Sequence, residues 1–269
     1  MTENATTDRR AEDKLGAIVM ANGEACKLAA KLDAPHKALL DLHGQSMIER
    51  VLAAVRECPE IGQVVVSCRP SGPIAEHLSG RAELAEPEDA TFLGGIREGF
   101  AQMPGVPRAL LVTCDMPLLT TEAVSHFVQS ANEHPDADLV YGMVDVTLTR
   151  QAYPHNRRTA IRLKEGSYTA SGLTVVSRRF VDYCGPLLME AFHARKSKIA
   201  MAQLLGFSFL IRFALGMLSV KQVVARADEL LQGKCVAVSI PFAECGFDVD
   251  SHHDLHAARE ALARTPPPR

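Results

Sequence analysis

Short apolar runs alternate with segments of helical spacing along the first half of the chain, and this alternation restricts the fold more than any other feature. Gly16-Ala17-Ile18-Val19-Met20, Gln63 to Cys68, Arg108 to Cys114 and Asp138 to Val144 have strand length and little polar alternation. That is the pattern of strands covered on both faces. Between them, Ser46 to Arg56 repeats apolar residues at Met47, Ile48, Val51, Leu52 and Val55, and Thr91 to Met103 also reads as a helix. Thr120 stands as an N-cap before Thr121-Glu122-Ala123-Val124. Strands and helices in this order predict βαβ units, hence an α/β, Rossmann-like, mostly parallel twisted sheet with flanking helices. Such sheets bind ligands at the carboxyl ends of their strands. Chemistry is therefore expected just after Met20 and Thr113.

The second half is less regular. Gln151 to Asn156 reads as a loop, and Thr159 to Leu163 and Gly172 to Val176 as strands around a turn at Glu165-Gly166. A helical insertion covers about 178–231. Lys234 to Ile240 reads as a strand and Phe247 to Asp250 as a short one. Ser251 to Leu262 reads as a helix opened by the capping box Ser251-His252-His253-Asp254. At 269 residues the chain is near the upper size for one core. The expectation is one domain over 15–263, with disordered tails at 1–14 and 264–269.

Composition removes several classes. With 47% hydrophobic and 23% charged residues the chain is neither disordered, collagen-like nor coiled coil. A net charge of -3 supplies no global field for a polyanion, so nucleic acid is not an expected partner. Seven cysteines, an odd number with no C-x-x-C spacing, suit buried thiols in a reducing cytoplasm. The polar N-terminus shows no apolar signal region, which supports a cytoplasmic location. From Ile199 to Val220 the only charge is Arg212. That length could span a bilayer, but an Arg near the middle costs about 2.5–3.5 kcal/mol on insertion scales. Gly206 and Gly216 argue the same way, so this block is expected to pack on the rest of the domain or form a homodimer interface, without a stable span.

Four constellations could carry chemistry. The first is the loop after the first strand, Ala21-Asn22-Gly23 to Lys27. Backbone amides in such a loop can face a phosphate, although alone it reads equally as an ordinary turn. The second is Pro35-His36-Lys37-Ala38-Leu39-Leu40, followed by Gly44-Gln45-Ser46-Met47-Ile48. A lone Lys before an apolar run is usually solvated, its stem lying on apolar surface; its interest comes from the order of elements. The third is Cys114-Asp115-Met116-Pro117, where Asp115 directly follows a buried strand. A carboxylate there can hold Mg²⁺ through one oxygen while water and phosphate fill the other positions; the plain alternative is a turn Asp. The fourth is Phe247-Asp248-Val249-Asp250, whose carboxylates point to opposite faces if the segment is a strand. Asp254 is expected to cap the helix, and His252, His253 and His256 to be surface residues.

In this fixed order the segments resemble the nucleotidyltransferases of glycosyltransferase-A-like fold, in particular the MobA-like NTP transferases, the molybdenum cofactor guanylyl- and cytidylyltransferase group. Arg157-Arg158-Thr159 and Arg195-Lys196-Ser197 look like segments of a branch with a helical C-terminal insertion. The resemblance implies that an NTP lies over Ala21, Asn22, Gly23 and Lys27, with Lys37 on its phosphates. It implies that Asp115, with Asp248 or Asp250, holds Mg²⁺. A phosphate or hydroxyl of a small acceptor would attack the α-phosphorus of the NTP, GTP or CTP by family, and pyrophosphate would leave. Positioning and charge neutralisation suffice for this, without a covalent nucleophile. Two other functions are compatible with the chain. A nucleotide-binding or regulatory protein that has lost catalysis is suggested by Glu24 and the single loop glycine. A sugar-nucleotide glycosyltransferase would need a carboxylate pair after the middle strand.

Overall fold

The computed structural model describes residues 14–23, 27–89, 91–156, 158–194 and 206–264. The chain opens with β1 (Leu15–Met20), α1 (Lys27–Lys31) and a 3₁₀ turn at Lys37–Leu39. The two short strands β2 (Asp41–Leu42) and β3 (Gln45–Ser46) form a hairpin that leads into α2 (Met47–Arg56). Next come β4 (Ile61–Ser67), α3 (Pro73–Leu78), β5 (Glu83–Ala85), α4 (Phe92–Ala101), β6 (Arg108–Thr113), α5 (Thr121–Asn132), β7 (Leu139–Asp145) and α6 (Val146–Ala152). The second half holds β8 (Ile161–Arg162), β9 (Ser167–Ser177), α7 (Arg178–Ala194), α8 (Phe207–Ala214), α9 (Val220–Leu231), β10 (Cys235–Ser239) and α10 (His252–Arg264).

One sheet organises these elements in the order β10-β7-β9-β6-β1-β4-β5. β1 pairs in parallel with both β4 and β6, β4 with β5, and β10 with β7. β9 runs antiparallel to β6 and β7, and β8 pairs with its start. The mostly parallel sheet expected from the alternation is therefore present, with one reversed strand inserted. β1 is buried along its whole length, and its alternate side chains divide between two cores. Ala17 and Val19 pack with Ile48, Val51 and Val55 of α2 and Phe127 of α5. Ile18 and Met20 pack with Ile96 and Phe100 of α4 and Val181 of α7. Gly99 lets α4 lie this close: a Cβ there would stand 2.6 Å from Ile18 Cδ1. A third cluster joins Leu40, Leu42 and Met47 to Phe247, Val249 and Leu255. It fastens the C-terminal segment beneath the Lys37 turn.

Helix starts follow their sequence signals. Ser46 and Glu49 form a reciprocal capping box on α2, and the Thr91 and Thr120 hydroxyls accept from Gly94 N and Ala123 N. Other expectations need correction. Phe247 to Asp250 is not a strand but irregular chain. Part of the loop read at Gln151 to Asn156 belongs to α6, which Asp145 opens by accepting from Thr147 N. α3 and β5 lie outside the elements expected from the sequence.

The helical block divides. α7 docks through buried Phe180, Val181 and Cys184, whereas α9 contributes no buried residue and α8 leaves Phe207 73% exposed. The stretch 195–205, with Arg195-Lys196-Ser197, lies outside the described residues, as do 1–13 and 265–269 of the expected tails. Among the described residues no helix is long and apolar enough to cross a membrane.

Candidate active site

Three strands end along one edge, and their last residues place the site. β1 and β6 are in register, with Met20 beside Thr113. Ala21 and Asn22 therefore emerge next to Cys114 and Asp115. Ala21 N donates to Ser67 O at the end of β4 (2.7 Å). The Asn22 side chain is buried and donates to Thr91 O (2.7 Å), tying the first loop to the start of α4. Gly95 makes room for it, since a Cβ at that position would lie 2.7 Å from Asn22 Nδ2. Gly23 is exposed, and Lys27 stands exposed as the first residue of α1. Glu24, Ala25 and Cys26 lie outside the described residues.

Lys37 is the hub. Its Nζ lies 2.7 Å from Asp115 Oδ2 and 2.7 Å from Asp250 Oδ1, and it donates to Val249 O at 3.3 Å. The residue before it orients it: His36 Nδ1 accepts from Ala38 N (3.1 Å) and caps the 3₁₀ turn. His36 also hydrogen-bonds the Gly23 backbone. Burial, and then the neighbouring Lys37 charge, hold the His36 imidazole below its ordinary pKa, so it works as a neutral brace between the two loops. Burial by itself would depress the Lys37 ammonium. The Asp115 carboxylate, and then Asp250, more than reverse this and hold it above the ordinary lysine range.

Asp115 is supported from both sides. Its carbonyl accepts from Val249 N (3.0 Å). Beneath it β9 departs from regular pairing with β7, and Gly172, at φ +67°, presses against the Asp-Met-Pro turn. A Cβ on Gly172 would lie 2.4 Å from Met116 Sδ and 2.9 Å from Thr113 Oγ1.

Asp248 faces elsewhere. It forms an ion pair with Arg158, whose guanidinium also reaches Thr169 Oγ1 (3.4 Å) and Ala170 O (3.4 Å) on β9. Burial lowers the Arg158 pKa, against the pull of Asp250 and Asp115. Two positions earlier, Asn156 donates to Asp254 Oδ1 (2.7 Å) and to Asp248 O (3.4 Å). The other Asp254 oxygen accepts from Ser251 N (2.9 Å) and Asp250 N (3.3 Å). Asp254 is thus the helix cap expected of it, and it also clamps the acidic segment. Sequence reasoning gives Asn156 and His36 no role of their own, and Arg158 only a place in a segment that resembles a branch of the family. The pair of adjacent Arg residues was visible, but nothing local pointed to a partner ninety residues away. His252, His253 and His256 are exposed, as surface residues should be.

The donor set suits Mg²⁺. Asp115 Oδ1 is buried without a hydrogen-bond partner among the described residues, and an unpaired buried carboxylate oxygen calls for an explanation. Asp250, sharing the same ammonium, has a side chain 68% exposed. Mg²⁺ takes one or two protein carboxylates and completes its octahedron with water and substrate phosphate. Among the described residues no three His, Cys, Asp or Glu side chains are grouped to hold a metal by themselves. A cation at Asp115 and Asp250 would therefore depend on substrate oxygens.

Residues 17–181 match the MobA-like NTP transferase domain. The chain belongs to that family. A hypothetical transferase from Thermus thermophilus is 30% identical, with a TM-score of 0.78, the alignment covering 90% of this chain and 99% of that one. A CMP:2-keto-3-deoxy-manno-octonic acid synthetase complexed with CTP shares the fold at 13% identity and TM-score 0.60, over 93% and 99% of the two chains. So does the 4-diphosphocytidyl-2C-methyl-D-erythritol synthase of Anaerococcus prevotii DSM 20548, at 12% identity and TM-score 0.55, over 94% and 100%. No curated protein matches the chain. Within the MobA-like NTP transferase family, the family match ends just inside α7, so α8, α9, β10 and the Asp250 segment lie beyond it.

Proposed function

We propose that the protein is a Mg²⁺-dependent nucleotidyltransferase that moves NMP from an NTP, GTP or CTP, to a small phosphorylated or hydroxyl acceptor. The observation that carries this reading is the convergence of Lys37, Asp115 and Asp250 at the carboxyl edge of β1 and β6, with one Asp115 oxygen left unpaired. An acceptor oxygen, a phosphate oxyanion or a hydroxyl that gives up its proton to solvent, forms a bond to the α-phosphorus. The bond from that phosphorus to the β-bridging oxygen breaks, and pyrophosphate leaves with the electron pair. When bound, Mg²⁺ neutralises phosphate charge. Ala21, Asn22 and Gly23 seat the nucleotide, with Lys27 at the far end of the same loop. Lys37 supplies positive charge to the phosphates, Asp115 and Asp250 are the metal ligands, and Asp248 acts through Arg158 to hold the segment that carries Asp250. The glycosyltransferase reading draws no added support, because Cys114 beside Asp115 is buried and no second carboxylate follows β6 directly.

The test is pyrophosphate release from each NTP, with and without Mg²⁺, across phosphorylated and hydroxyl acceptors. Release with GTP or CTP that needs Mg²⁺ is the expected result. NTP binding with no release for any acceptor would favour the nucleotide-binding protein without catalysis.

A further inference from the structure

We propose that Lys37 is a displaceable counterion that occupies the cation position of the site until nucleotide arrives, and so couples metal binding to NTP binding. This inference rests on the reading of Asp115 and Asp250 as metal ligands. An ammonium has three N–H donors and no acceptor. Those of Lys37 are committed to Asp115 Oδ2 at 2.7 Å, Asp250 Oδ1 at 2.7 Å and Val249 O at 3.3 Å. A group so occupied cannot also donate to a triphosphate, so a phosphate role requires it to leave these oxygens.

The same geometry opposes a free metal. Asp115 and Asp250 come from segments 135 positions apart by residue number, and the Lys37 charge is what joins their carboxylates. A divalent ion drawing on Asp115 Oδ2 and Asp250 Oδ1 would have to sit where Nζ now sits, and one seated on the free Asp115 Oδ1 would still feel the repulsion of the adjacent ammonium. A free metal taking those oxygens must displace Lys37 from the two carboxylates that balance its charge, leaving a part-buried ammonium without them. A metal–NTP complex removes that cost, because the triphosphate receives the ammonium as the metal takes the carboxylates. The four-carbon stem of a lysine can swing between the two without backbone movement. Each ligand then strengthens the other by the same factor, as linkage demands.

The probe is Mn²⁺, titrated calorimetrically without nucleotide into the full-length protein and its Lys37→Met, Lys37→Gln and Asp115→Ala variants, then repeated with GTP or CTP present. Both Lys37 variants should bind free Mn²⁺ about tenfold more tightly than the parent. In the parent, nucleotide should tighten Mn²⁺ by a similar factor, and in the variants by much less. Removing Lys37 leaves two carboxylates facing each other, so these variants should melt lower. Mn²⁺ should raise their melting temperature more than it raises the parent's, which provides a readout even if they fold less well. If neither Lys37 variant gains Mn²⁺ affinity while Asp115→Ala loses it, the counterion role is wrong and the metal site stands. If, with nucleotide present, Asp115→Ala binds Mn²⁺ as well as the parent, the metal assignment fails and takes this inference with it.

Discussion

Asp254 offers the sharpest test of how the site is held. It is 8% exposed. Its carboxylate accepts from Ser251 N at 2.9 Å, Ser251 Oγ at 2.7 Å, Asp250 N at 3.3 Å and Asn156 Nδ2 at 2.7 Å. Asp254→Ala removes the reciprocal half of the α10 capping box, a loss of about 1 kcal/mol. It also strands the buried Asn156 amide, which adds about 1–3 kcal/mol. The backbone amides of Asp250 and Ser251 lie nearer the surface and can turn to water, so they add little. The expected destabilisation is about 3 kcal/mol, or roughly 6–12 °C in melting temperature for a chain of this size. The loss should also be functional, because Asp250 loses its backbone anchor and the chain around it loosens. Mg²⁺-dependent NTP affinity should fall together with stability. Asp254→Asn keeps an acceptor for Ser251 and lets Asn156 flip its amide, so it should recover at least half of the loss. Calorimetric melting of the three proteins, beside NTP titration with and without Mg²⁺, checks this. A melting temperature for Asp254→Ala within about 2 °C of the parent would refute the claim that this carboxylate clamps the acidic segment.

Asp115→Ala and Asp250→Ala should abolish Mg²⁺-dependent NTP binding, whereas Asp248→Ala should weaken it only in part; equal losses for all three in NTP titrations would mean that Asp248 is itself a ligand. Lys37→Ala should weaken NTP binding far more than nucleoside binding, and matched losses in a paired titration would count against a phosphate contact. Asp138 is buried, which alone would raise its pKa, yet the Lys234 amide, Arg179 and Ser177 hold it below the ordinary range. Its contribution to stability is thus complete above the unfolded-state value, about 3.9, and disappears as pH falls through the lower folded value. Asp138→Asn should flatten the acid limb of the stability profile, and an unchanged limb in denaturation curves would show the bracket to be inert. Because Gly206, Arg212 and Gly216 interrupt the apolar stretch 199–220, the full chain is expected in the supernatant after carbonate washing, and recovery only in detergent would overturn this.

Much of the site was legible because burial on both faces leaves a clear mark. The run Gly16 to Met20 suits an interior strand, and the same reasoning placed Asp115 at the ligand edge. The Phe247-Asp248-Val249-Asp250 alternation misled for a physical reason. Its period of two reports that Phe247 and Val249 face a core, and they do, beside Leu40, Leu42 and Met47. The period carries no information on whether a neighbouring strand supplies a ladder. Here the hydrogen bond donated by Val249 N to the Asp115 carbonyl takes its place.

The sequence by itself determined the layered α/β architecture, the edge at which ligands gather, the caps on the helices and the candidacy of Lys37 and Asp115. The architecture, edge and caps depend on local periodicity and on hydrogen bonds within a few residues, and Asp115 on its place after a buried strand, whereas Lys37 stands out only through the order of elements that resembles the family. Only the tertiary structure decided which acidic residue joins them. Asp250 meets Lys37 across 213 positions while Asp248 turns to Arg158. Two carboxylates separated by one residue have the same local chemistry, and what distinguishes them is the charge that the rest of the fold places opposite each.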